Sequence, residues 1–153
     1  MTTKGIICLD MDGTIADLYS VPGWLEMLRI EDETPYFEAE PLVDMKRLAY
    51  ICEALHDMGW EIRIISWLAK DSSEEYKIRV RNAKLFWLQL WNLPLDHIHL
   101  VAYGTTKADC VRRAGEGPKI LVDDNAKIRN GWHLGQTIDA SKETWLDELE
   151  ALI

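Results

Sequence analysis

Two pairs of carboxylates are the residues most able to do chemistry, because each pair directly follows a short apolar run. Asp10 and Asp12 come after the run GIICL, and Asp123 and Asp124 come after the run KILV. Buried carboxylates without partners are costly, so a site that gathers them needs a cation to neutralise it. A hard divalent cation with oxygen ligands meets this need, and Mg²⁺ suits a site that also binds phosphate. One such pair is readily explained as a solvated turn, but two pairs after two apolar runs indicate a shared acidic site.

The residues after the first acid pair suit a sharp turn. Gly13 lacks a side chain and permits backbone conformations that other residues avoid. The hydroxyl of Thr14 can hydrogen-bond to backbone or to a carboxylate and so hold the turn. We therefore expect Gly13 and Thr14 to support the geometry around the two carboxylates.

The acid pairs belong to a chain in which predicted strands and helices alternate. Apolar segments predict strands over 5–9, 61–67, 97–102, 119–122 and 134–138. Helical periodicity and capping residues predict helices over 42–58, 73–92, 105–114, 126–132 and 141–153. This alternation predicts an α/β protein, a Rossmann-like three-layer α/β/α arrangement around a mainly parallel sheet. Ligands bind such sheets beyond the carboxyl ends of the strands, where both acid pairs lie.

Length, composition and charge limit the class of protein. A chain of 153 residues is one ordinary domain, and 48% hydrophobic residues is too many for a disordered chain. The net charge of −9 argues against a nucleic-acid polymer or an anionic membrane as partner. The three cysteines are widely spaced, and neither a signal-peptide pattern nor an apolar run of membrane-spanning length is present. These features predict a cytoplasmic protein with reduced thiols.

The segment DMDGT at 10–14 resembles motif I, DxDxT, of the haloacid-dehalogenase (HAD) superfamily. In that family the first Asp attacks phosphorus and becomes an aspartyl phosphate. The second protonates the leaving oxygen and then activates water. The resemblance implies a HAD fold, with Asp10 as the nucleophile and Asp12 as the general acid and base.

Counterparts of the other HAD motifs follow in the same order. Ser66 ends the second predicted strand and matches the motif II residue that binds a phosphate oxygen, and Lys107 matches the motif III lysine. Asp123 and Asp124 match the acidic motif IV, with Asp123 expected as the direct metal ligand. The resemblance implies a Mg²⁺-dependent phosphatase. The implied metal-binding residues are Asp10, Asp12 (through its backbone carbonyl), Asp123 and Asp124.

Four further segments are similar to the 5'(3')-deoxyribonucleotidase family: 10–17, 36–42, 84–88 and 144–146. Lys84 belongs to a Lys-x-x-Trp pattern whose lysine, in that family, approaches the substrate phosphate. The resemblance implies a small phosphorylated metabolite as substrate, a nucleoside monophosphate, with Lys84 as a phosphate contact. Two departures are a short segment at 17–41, where the family has a larger helical cap, and Asn125, where it often has a basic residue.

We expect a single domain over residues 1–153, with a small cap insert at 17–41. Trp24 lies in this insert and Trp67 follows Ser66, and for both residues packing and stacking on a base are equally good explanations. The tryptophans expected only to pack are Trp60, Trp87, Trp91 and Trp145.

Three other kinds of protein share part of this pattern. A receiver domain has similar residues, but its acid pair precedes the phosphorylated Asp, whereas here the DxDGT segment comes first. A non-catalytic module that binds phosphate or nucleotides should lack a catalytic acid, and none is missing. A phosphatase for sugar phosphates on the same scaffold stays open, and phosphate release from a panel of monophosphates would distinguish it.

Overall fold

The computed structural model describes residues 3–153. In chain order its elements are β1 (Gly5–Leu9), β2 (Ala16–Asp17), a 3₁₀ turn (Leu18–Ser20), α1 (Trp24–Arg29), α2 (Thr34–Glu38), β3 (Glu40–Pro41), α3 (Met45–Asp57), β4 (Trp60–Trp67), α4 (Glu74–Gln89), β5 (His97–Val101), α5 (Lys107–Val111), β6 (Lys119–Asp123), α6 (Ala126–Asn130), β7 (Thr137–Asp139) and α7 (Trp145–Glu150).

The main sheet has five strands within the described range, in the order β5-β4-β1-β6-β7, and every neighbouring pair is parallel. This confirms the predicted α/β fold with a mainly parallel sheet. The register pairs Leu9 of β1 with Val122 of β6 and with Ile64 of β4. The carboxyl ends of these three strands therefore meet at the same edge, where the predicted site residues follow them.

Apolar side chains cover both faces of the sheet. Along β1, Ile7 and Leu9 pack into one core cluster, whereas Ile6 and Cys8 pack into another, because successive strand residues point to opposite faces. On the first face, α3 contributes five buried residues, Met45, Leu48, Ile51, Cys52 and Leu55. On the second, α5 contributes Ala108 and Val111. The three predicted layers follow from this two-sided burial.

The segment between β1 and α3 packs beside the sheet, and its residues Ile15, Ala16, Val21 and Ala39 belong to the first core cluster. It contains α1 and α2, and its two short strands β2 and β3 pair with each other in antiparallel fashion. The indole of Trp87 on α4 donates to the carbonyl of Ala39 (2.7 Å), and the hydroxyl of Tyr76 donates to the carbonyl of Asp32 (3.0 Å). These bonds join the segment to α4, and its role as a cap insert over 17–41 stays a prediction.

Several predicted boundaries were wrong at the chain end, where local hydrogen bonds compete with regular structure. The carboxylate of Asp139 accepts from both the amide (2.9 Å) and the hydroxyl (2.6 Å) of Ser141. Because of this Asx turn, the last helix begins at Trp145 and not at 141.

Among residues 3–153, no helix combines the length and the apolar character that crossing a membrane requires.

Candidate active site

Asp10 follows the last residue of β1, and its carboxylate is held by two donors. Its amide donates to the carbonyl of Val122 (2.9 Å), which continues the pairing with β6. Oδ1 accepts from Nζ of Lys107 (2.8 Å) and Oδ2 accepts from the hydroxyl of Thr14 (2.9 Å). The residue is only 8% exposed, so its orientation is fixed by these bonds.

A tight turn carries the chain from Asp10 to Asp12 and back. The carbonyl of Met11 accepts from the amides of Thr14, Ile15 and Ala16 at 3.0–3.2 Å. Gly13 has a φ of +84°, and a Cβ at this position would lie 2.7 Å from Oδ2 of Asp124. Glycine is therefore required here both for the backbone conformation and for the approach of the second acid pair.

Asp123 and Asp124 reach the same place from the end of β6. Asp123 is fully buried; its Oδ2 accepts from Nζ of Lys107 (2.8 Å) and its Oδ1 from the amide of Asn125 (2.9 Å). Asp124 is half-buried, and its Oδ1 lies 3.2 Å from the hydroxyl oxygen of Thr14, whose single hydrogen it shares with Oδ2 of Asp10. Oxygens of Asp10, Asp123 and Asp124 lie within 4.8 Å of one another.

The electrostatics of this group follow from burial and crowding. Burial raises the pKa of Asp123, and the Asp10 carboxylate raises it further. Burial, followed by the hydrogen bond and charge of Asp10, raises the pKa of Asp124 to about 7. Burial alone would lower the pKa of Lys107, but Asp10 and Asp123 outweigh it and the pKa is raised. Burial likewise raises the pKa of Asp12, against the opposing charge of Lys84.

These residues fit a divalent cation. Asp10 and Asp123 share the single ammonium of Lys107, and Asp124 has no ion pair with a described residue, so the three carboxylates carry more negative charge than Lys107 offsets. Carboxylate oxygens are the ligands that Mg²⁺ prefers. Asp123 and Asp124 both line the cavity, and the role of Asp123 as the direct metal ligand stays a prediction.

Ser66 and Lys84 meet on the other side of Asp12. Ser66 is buried in β4, and Lys84 is fully buried on α4. Nζ of Lys84 donates to Oδ2 of Asp12 (2.8 Å), to the hydroxyl oxygen of Ser66 (2.8 Å) and to the carbonyl of Trp67 (2.7 Å). The structure therefore brings Lys84 to the site, although its predicted contact with a substrate phosphate stays a prediction.

A cavity of about 340 Å³ opens over the acids, Ser66 and Lys107. Its remaining wall is rich in aromatic side chains from the insert and from the strand ends. These are Tyr19, Trp24, Tyr36, Trp67 and Tyr103. Two pairs are in ring contact, with centroids 5.1 Å apart for Tyr19 and Trp24 and 4.9 Å apart for Trp67 and Tyr103.

Trp24 and Trp67, for which packing and stacking were equally good explanations, both line the cavity, and Trp24 also packs against the core. The other five tryptophans belong to or pack against the core: Trp60, Trp87, Trp91, Trp132 and Trp145. Sequence reasoning missed Tyr103. It lies just beyond the carboxyl end of β5, so the strand-end rule that found the acids could have found this residue as well.

No protein-family model matches the sequence, and no curated protein matches it. Among solved structures, the chain is similar to a protein of Mesorhizobium loti that has been described, provisionally, as a HAD-like phosphatase. The similarity covers 99% of this chain and 86% of that one, with a TM-score of 0.56 and 14% sequence identity. This comparison shows a shared fold.

Proposed function

We propose that the protein is a Mg²⁺-dependent phosphomonoester hydrolase that acts through an aspartyl phosphate on Asp10. One observation carries the proposal: both acid pairs meet Lys107 and Ser66 at the floor of one cavity. The shared fold with a HAD-like protein is consistent with this chemistry.

In the first step, the Asp10 carboxylate attacks phosphorus and the bond to the leaving oxygen breaks. An ammonium has three N–H donors, and Lys107 uses two of them on Asp10 and Asp123, so one is left for a phosphate oxygen. The hydroxyl of Ser66 can donate to another phosphate oxygen. Asp10, Asp123, Asp124 and the carbonyl of Asp12 would hold Mg²⁺, which would supply positive charge that offsets the repulsion between the two anions.

Asp12 transfers a proton in each of the two steps. It gives the proton to the departing alkoxide, and then takes one from the water that attacks the aspartyl phosphate. Inorganic phosphate leaves and the Asp10 carboxylate is restored. Asp12 suits this role because its side chain lines the cavity and is 16% exposed.

We propose nucleoside monophosphates, with deoxynucleotides preferred, as substrates. The aromatic wall of the cavity supports this, because a base can stack on Trp24 or Trp67. The net charge of −9 supports a small substrate, since a polynucleotide backbone would be repelled.

Removal of metal should abolish phosphatase activity. EDTA treatment is expected to abolish turnover, and added Mg²⁺ is expected to restore it. The three carboxylates of Asp10, Asp123 and Asp124 carry an excess of negative charge, which must be offset before an anionic substrate can bind. Mg²⁺ should also raise the Tm, since a ligand that binds only the folded state stabilises it. The Asp124→Asn variant should show a smaller rise. Full activity in EDTA would contradict the metal requirement.

Substrate choice should depend on the aromatic wall. Trp24→Ala should raise the KM for nucleoside monophosphates by about tenfold or more, because stacking on an aromatic side chain contributes ~1–3 kcal/mol per base. The KM for p-nitrophenyl phosphate should change little. Tyr50→Ala is the matched control, since Tyr50 is an exposed aromatic residue on α3 outside the cavity.

A panel of nucleoside and sugar monophosphates tests the substrate class itself. Deoxynucleoside monophosphates should be hydrolysed with the highest kcat/KM. If sugar phosphates were hydrolysed faster than every nucleotide, the phosphatase proposal would stand and the nucleotidase proposal would fall.

A further inference from the structure

Lys84 and Asp123 are the two fully buried charges of the candidate site. The exposure of Lys84 is 0%, and its Nζ is bonded to Asp12, Ser66 and the carbonyl of Trp67. A lysine ammonium has three N–H donors, and these three bonds use all of them. Lys107, by contrast, makes two such bonds and lines the cavity.

The surroundings of Lys84 keep its ammonium in place. Nζ lies 5.3 Å from the ring centroid of Tyr36, which comes from the insert. One turn further along α4, the indole of Trp87 holds the carbonyl of Ala39 (2.7 Å). To reach a phosphate in the cavity, Nζ would have to give up its bond to Asp12, Ser66 or Trp67, and leaving a buried or partly buried acceptor unpaired is costly.

The bonds of Lys84 define what its partners can do. Oδ2 of Asp12 accepts from Lys84, whereas Oδ1 accepts no side-chain hydrogen bond from residues 3–153, so Oδ1 is the oxygen free to give and take a proton. The hydroxyl oxygen of Ser66 also accepts from Lys84, which leaves the hydroxyl hydrogen to point at another acceptor, such as a phosphate oxygen.

We propose that Lys84 is a positioning residue that fixes the Asp12 carboxylate for proton transfer, and that it does not bind the substrate phosphate. The proposal rests on the proposed function, because it requires Asp12 to act as general acid. It replaces the role that the resemblance to deoxyribonucleotidases implies for this lysine.

The test compares two leaving groups. Lys84→Met keeps most of the length of the side chain and removes its charge and its hydrogen-bond donors. The value of kcat/KM depends on the steps up to departure of the leaving group. For the alkyl phosphate of the panel that is hydrolysed fastest, kcat/KM should fall by about 10²-fold, because its leaving group needs a proton from Asp12. For p-nitrophenyl phosphate, whose leaving group needs little protonation, the fall should be under about tenfold. Competitive inhibition by inorganic phosphate should be unchanged.

Three further variants make the result specific. Lys119→Met is the matched control, because Lys119 is a buried lysine at the opposite end of β6, bonded to the carbonyl of Gly115 (2.8 Å), and its loss should affect neither substrate. When Lys84→Met is added to the Asp12→Asn variant, the ratio of kcat/KM between the two substrates should not change further. Lys84→Gln keeps an amide donor and replaces Lys84→Met if that protein does not fold.

Two results would overturn the inference, and they differ in meaning. Equal losses on both substrates together with weaker inhibition by inorganic phosphate would identify Lys84 as a phosphate ligand while leaving the proposed function intact. If Asp12→Asn itself lost equally on both substrates, the acid role of Asp12 would fail and the positioning role would fail with it.

Discussion

Asp10→Asn should lower kcat by on the order of 10⁴–10⁶-fold, the loss typical when a catalytic residue of a covalent mechanism is removed. An amide has nearly the shape of the carboxylate but cannot attack phosphorus, so the aspartyl phosphate cannot form. Steady-state phosphate release from the best nucleotide and from p-nitrophenyl phosphate measures the effect, which should be equally severe on both.

The fold should tolerate this change. One of three crowded carboxylates loses its charge, and Lys107 keeps Asp123 as its partner. The free energy of unfolding, measured with urea, should therefore stay close to that of the unaltered protein. Asp57→Asn, an exposed carboxylate at the end of α3, is the control for full activity. Near-normal kcat in folded Asp10→Asn would mean that water attacks phosphorus directly.

Asp12→Asn should lower kcat/KM for alkyl phosphates by about 10²–10⁴-fold, the usual contribution of general acid–base catalysis. The asparagine can still accept from Lys84, so the turn and its neighbours should keep their positions. For p-nitrophenyl phosphate the fall in kcat/KM should be much smaller, because its leaving group departs without a proton.

The second half of the reaction gives Asp12→Asn another expected property. Without a base to activate water, the aspartyl phosphate should persist, so p-nitrophenol should appear in a burst equal to the enzyme and then slowly. Losses of the same size on both substrates, with no burst, would contradict the assignment of Asp12.

The acid site could be predicted from the sequence because its logic is local and topological. Asp10 and Asp123 directly follow apolar runs, alternation of elements predicts a parallel sheet, and parallel strands end at one edge. Their meeting therefore required no knowledge of the strand order, although that order places β1 and β6 side by side.

Contacts between side chains from distant parts of the chain could not be predicted from the sequence. The pattern around Lys84 predicts a lysine at the site, but does not predict that Asp12, Ser66 and Trp67 accept its three hydrogen bonds. The requirement for glycine at Gly13 likewise comes partly from Asp124, which is far away in the sequence. Such contacts depend on how distant elements pack around the sheet, and no periodic pattern in the sequence indicates them.

The ends of helices were hardest to predict where a side chain hydrogen-bonds to the backbone at the helix terminus. Asp44 accepts from the amides of Lys46 (3.1 Å) and Arg47 (3.2 Å), so α3 begins at Met45, three residues later than its apolar periodicity suggests. The segment 105–114 yields only the short helix α5, although its apolar residues do face the core.

Chemical trapping of phosphorylated Asp10 tests the central claim most directly. Asp12→Asn enzyme is mixed with p-nitrophenyl phosphate in Mg²⁺, quenched after the burst and treated with borohydride, which reduces an acyl phosphate to an alcohol but leaves a free carboxylate intact. Peptide mass spectrometry then locates the change. We predict reduction at Asp10, dependent on substrate and absent when Asp10→Asn is added. Release of p-nitrophenol while Asp10 stays unmodified would contradict the aspartyl-phosphate mechanism.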